Sequence, residues 1–138
     1  MSVGSAERPL TLIALGVGCR AGVPGEAIAA LARRALAEAG DPTGELRMFT
    51  LAAKAGEPGL IEAAGLLRTR LIPLPLTALA AQADRILTPS APAQTRFGAP
   101  NVAEAAALAG AGEGGRLLGP RLAADGATCA IALSTDRP

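Results

Sequence analysis

A chain of 138 residues with 13 lysines and arginines against 12 aspartates and glutamates carries a net charge of +1, so it has no general electrostatic footprint for nucleic acid or an anionic membrane. It contains no histidine, which excludes Ser-His-Asp and Cys-His catalysis, histidine metal sites and a histidine pH switch. Its two cysteines, Cys19 and Cys129, match no zinc spacing; neither a metal nor a cofactor is expected, and the length suits a single domain over residues 1–138.

Half the residues are hydrophobic but only Phe49 and Phe97 are aromatic, so the core must be aliphatic. Residues 10–17 form a continuous apolar run ending in glycine, the pattern of a strand buried on both faces of a sheet. Arg8 before this run and Cys19 after it have the outline of a lipoprotein signal, but Gly16 stands where an aliphatic residue is required. No run is long enough to span a membrane, and a cytoplasmic protein with reduced thiols is expected. A helix should start near Pro24 and bury Ile28, Leu31, Ala32, Ala35 and Leu36, stopping at Gly40.

A second strand is expected across Leu46 to Ala53, then a helix from about Pro58 with Leu60, Ile61 and Ala64 on its buried side. Leu71 to Leu74, flanked and interrupted by prolines, suits a short edge strand. Leu76 to Ile86 reads as a weaker helix, and Thr88 to Pro100 as one long loop. Asn101 and Glu104 have capping-box spacing and open another helix, and the remainder reads as a hairpin, 117–123 and 127–133, about an Asp125-Gly126 turn. These elements predict one three-layer α/β/α domain with a mixed, mostly parallel sheet and a core over about residues 10–133.

Gly16, Gly18 and Gly22 lie between a strand and a helix, where backbone N–H groups and the helix dipole can receive a phosphate or a carboxylate. A dinucleotide site would also need an acid near the end of the second strand, and Lys54 stands there instead. Arg20 points toward the crevice where open α/β sheets bind ligands. Cys19 reads either as a nucleophile beside a helix N-terminus or as a turn cysteine without a base; Cys129 reads as core. Lys54 and Glu57 occupy the junction after the second strand, either as site residues or as a solvated ion pair. Glu104 reads as a capping residue first.

The stretches GVGCRAG (16–22), LAAKAGEPGLIEAA (51–64), GAPNVAEAAALA (98–109) and ATCAIAL (127–133), in this order and spacing, resemble the CobE/CbiG C-terminal domain family of cobalamin biosynthesis. Ala21 and Val23 depart from the family pattern, which carries a basic residue and a small hydroxylated residue around the glycine. The resemblance implies an α/β domain that carries or acts on corrin-ring intermediates. In longer relatives the domain belongs to a protein that opens the lactone of cobalt-precorrin-5A and releases acetaldehyde; the present chain resembles the stand-alone form.

Corrin intermediates bear many carboxylates around an apolar macrocycle, so their site needs cations and N–H groups at its rim. Gly18, Cys19, Arg20, Gly22, Lys54, Glu57 and Gly98 are the candidate ligand-binding residues, with Arg96 and Phe97 of the long loop closing over the ring. The expected function is a carrier or accessory factor whose partners are a corrinoid and other cobalamin-pathway enzymes, and the alanine-rich helix faces could support a homodimer. The alternative is a lactone hydrolase, with Glu57 or Glu104 activating water and Arg20 or Lys54 stabilising the oxyanion.

Overall fold

The computed structural model describes residues 11–88 and 101–135. The expectations for most of the long loop, including Arg96, Phe97 and Gly98, lie outside these residues. The central strand β1 (Thr11–Cys19) is buried from Ile13 to Gly18. Successive side chains of a strand point to opposite faces, and β1 uses that alternation to build two cores. Ile13, Leu15 and Val17 face one side, where α1 (Gly25–Glu38) packs with Ile28, Leu31 and Ala32. Each such aliphatic side chain contributes about 1.5 to 3 kcal/mol by leaving water.

β2 (Glu45–Leu51) and β3 (Leu71–Leu74) follow, with α2 (Pro58–Leu66) between them. Both strands run parallel to β1 in the order β3-β2-β1, and α1 and α2 cover the same face. Pro73 is tolerated because β3 is an edge strand.

The other face is built differently. Ala14, Phe49, Ala130 and Ala132 meet Ala103, Ala106, Ala107 and Ala111 of α4 (Val102–Ala111). The helix sits so close that a Cβ on Gly16 would overlap the Ala103 carbonyl oxygen and the Ala107 nitrogen. Small residues here set the distance between helix and sheet.

β6 (Ala127–Thr135) lies antiparallel along the whole of β1, and β4 (Arg116–Leu117) and β5 (Leu122–Ala124) both pair with β6. The sheet is mixed, as expected, but its parallel part is confined to β1, β2 and β3. The first arm of the hairpin also breaks: the register shifts between Leu117↔Ala132 and Leu122↔Cys129, and Gly119 at φ 154° with Pro120 fills the bulge. The Asp125-Gly126 turn takes φ values of 54° and 85°, the positive pair that a two-residue hairpin turn demands.

Two further boundaries differ from the sequence expectation. β2 ends at Leu51, the last residue with a partner on β3, and residues 52–54 turn away as a 3-10 turn. The helix expected over 76–86 stops at Ala80 as α3 (Leu76–Ala80), and a separate 3-10 turn spans Ala83–Arg85. Leu79 is buried, but Ala81, Ala83, Asp84 and Arg85 are exposed, so no apolar stripe holds the second half against the sheet. No helix among the described residues is long and apolar enough to cross a membrane.

Candidate functional site

The carboxyl ends of β1 and β2 lie side by side, and the chain leaves each through a short turn into a helix. The glycines of the first turn divide by role. Gly16 serves α4 packing, and a Cβ on Gly18 would press on the Thr128 hydroxyl and Val102. Gly22 has open space around it but a φ of 84°, so its requirement is conformational.

Its N–H is occupied. The Gly22 N–H donates to Glu57 Oε2 at 2.8 Å, and the Gly25 N–H at the start of α1 donates to Glu62 Oε1 at 2.9 Å. The glycine turn does hold carboxylates, and both come from the α2 side of this chain. Acids at a helix N-terminus complement its dipole, so Glu57 and Glu62 tie α2 to the start of α1. Gly59 permits the approach, since a Cβ there would overlap the Val23 carbonyl oxygen. An open cleft of about 400 Å³ runs between Gly22, Pro24, Gly25, Glu57, Pro58 and Glu62.

Lys54 Nζ stands 3.6 Å from Glu57 Oε1, with side chains only 21% and 14% exposed, so this pair is more shielded than a surface ion pair. The thiol of Cys19 is close enough to feel both charges. Burial pushes its pKa up, Lys54 pulls it down and Glu57 raises it, with the net direction upward. A thiol so placed is a weak nucleophile at neutral pH. Cys129 is buried in the strand and pushed up to about 12 by burial.

Arg20 is exposed at the end of β1, and its N–H donates to the Gly126 carbonyl at 2.9 Å. That bond fastens the first turn to the terminal hairpin. The Arg20 guanidinium forms no ion pair among the described residues. Arg20, Lys54, Glu57, Cys19 and Gly22 therefore share one end of the sheet, while Gly98 lies outside the described residues.

Glu104 belongs elsewhere. It is wholly buried; Oε1 accepts from the N–H groups of Leu87 and Thr88 at 2.7 and 3.0 Å, and Oε2 from Arg121 at 2.8 Å. Asn101 Oδ1 accepts the Glu104 N–H at 2.9 Å, which is half of the expected capping box. The return bond is replaced by long-range partners. Glu62 was the site residue missed, and its signal was indirect: Gly25 and Gly59, each following a proline at a helix start, mark a close approach.

The central strand of this α/β sheet thus ends in a glycine turn beside a lysine-glutamate junction. The family described as Cobalamin synthesis G C-terminus matches residues 13–132, and the chain belongs to this family. A crystal structure of CobE, described as a protein from the cobalamin (vitamin B12) biosynthetic pathway, shares its fold with a TM-score of 0.81 and 38% identity, covering 92% of this chain and 94% of that one. The cobalamin biosynthesis protein chiG from Agrobacterium tumefaciens str. C58 has a TM-score of 0.67 and 36% identity, over 90% of this chain and 99% of that one. Protein CobE of Sinorhizobium sp is 38% identical over 121 residues, 87% of this chain and 79% of that relative. The protein is a cobalamin biosynthesis protein.

Proposed function

We propose that the protein binds a corrin-ring intermediate at the carboxyl ends of β1 and β2 and acts in the cytoplasm as a carrier or accessory factor. The observation that carries this reading is Arg20: an exposed guanidinium, without an ion-pair partner among the described residues, at the end of the central strand. A ligand rimmed with carboxylates suits such a group, because guanidinium and carboxylate form charge-assisted, bidentate contacts. Lys54, one junction away, supplies a second cation.

Hydrolysis finds less support. Glu104 has no exposed surface and all its contacts are to backbone donors. Glu57 already accepts from the Gly22 N–H through Oε2 and faces Lys54 through Oε1, so both of its oxygens are engaged by groups of the protein itself.

Spectral titration with hydrogenobyrinic acid, followed by mass analysis of the recovered ligand, tests both readings. Binding with unchanged mass supports the carrier; a changed mass supports the enzyme. Arg20→Ala is expected to weaken binding roughly tenfold to a hundredfold, corresponding to the loss of one charge-assisted contact, with the thermal transition unmoved. Equal affinity of variant and parent removes Arg20 from the site.

A further inference from the structure

The cation and the N–H group at the glycine turn are already neutralised from within. Gly22 donates to one oxygen of Glu57 and Lys54 faces the other, so a carboxylate sits where a ligand carboxylate would be received. We propose that Glu57 is a built-in occupant of this anion subsite, and that a carboxylate of a corrinoid free acid displaces it to reach Gly22 and Lys54. This inference rests on the corrinoid reading above.

Three features fit displacement better than a permanent staple. Glu57 is the N-cap residue of α2, yet its side chain makes no capping bond to its own helix, so swinging it out breaks no contact that α2 needs. Its neighbour Glu62 already ties α2 to Gly25, and the two helices stay joined without Glu57. Glu57 also borders the open cleft that it lines with Gly22, Pro24 and Pro58, which gives the displaced side chain a place to go and a ligand a route to the Gly22 N–H.

Displacement makes Glu57 a specificity-determining residue. An incoming carboxylate can replace the charge that Lys54 loses, whereas an amide cannot, so the occupant raises the threshold for amidated rings above that for the free acid. Removing the charge of Glu57 frees Lys54 in advance and leaves only the attractive half of the exchange.

The test is titration of the intact protein with hydrogenobyrinic acid. Glu57→Gln keeps an acceptor for Gly22 and is expected to bind roughly threefold to tenfold more tightly than the parent, the scale of one partly screened ion pair; adding Lys54→Gln should cancel that gain. In the parent, the Gly22 amide resonance should shift on saturation as its partner changes. Weaker or equal binding by Glu57→Gln, or a Gly22 resonance that stays put while the ligand binds, overturns the displacement but leaves the corrinoid reading standing. Failure of the parent and both variants to bind overturns both.

Discussion

Glu104 and Glu57 both accept hydrogen bonds from backbone N–H groups, but from opposite sides of the sheet and under different conditions. Glu104 lies wholly buried beside the alanine face and gathers three donors from two distant segments. Glu57 stands at the rim, takes one donor and shares its charge with a lysine. The same residue type thus serves as a fixed hub in one place and as a removable partner in the other. What separates them is the number of groups left unsatisfied on departure, because a donor shielded from water and left without a partner costs up to about 1 to 3 kcal/mol.

Removing each carboxylate measures that difference. Glu104→Ala should destabilise the fold by about 3 to 5 kcal/mol, read in urea unfolding, since it strands three donors at once. A midpoint equal to the parent's would erase the distinction between the two glutamates. Gly16→Ala comes next, at about 2 to 3 kcal/mol, because α4 must shift to admit the methyl group; a neutral result would mean that the alanine face yields as easily as the rim.

The smallest effect sharpens the picture at Cys19. Glu57 raises the thiol pKa and Lys54 lowers it, so Glu57→Gln should speed iodoacetamide alkylation at mildly alkaline pH and Lys54→Gln should slow it, each by about twofold. Burial remains the leading cause of the upward shift, so even the faster variant should react more slowly than a free cysteine peptide. Rates that do not respond would separate Cys19 from the ion pair.

The parts legible in the sequence were those written locally. Ile28, Leu31, Ala32 and Ala35 recur at helical spacing and bury together, and Asp125-Gly126 carries its turn type in its own residues. Lys54 and Glu57 could be assigned to the right junction because both lie between the end of β2 and the start of α2. Their partners could not: the bond from Gly22 to Glu57 spans 35 positions, and spacing carries no record of such a distance. Glu104 shows the same limit. Its position after Asn101 suggests a capping box, but donors at Leu87, Thr88 and Arg121 outcompete the local one because burial brings them within reach. The terminal hairpin was legible as such, but the bulge at Gly119 and Pro120 that splits its first arm into β4 and β5 is announced by no periodicity.

The pairing of β1 with β6 also dictates when the site can exist. Thr11↔Thr135 through Cys19↔Ala127 join strands more than a hundred residues apart, and contacts of such separation form late because the intervening loop must close first. Until residues 127–135 have left the ribosome, β1 lacks one whole ladder and Arg20 lacks the Gly126 carbonyl that anchors it. A nascent chain therefore carries the glycine turn long before that turn gains its anchor on the terminal hairpin.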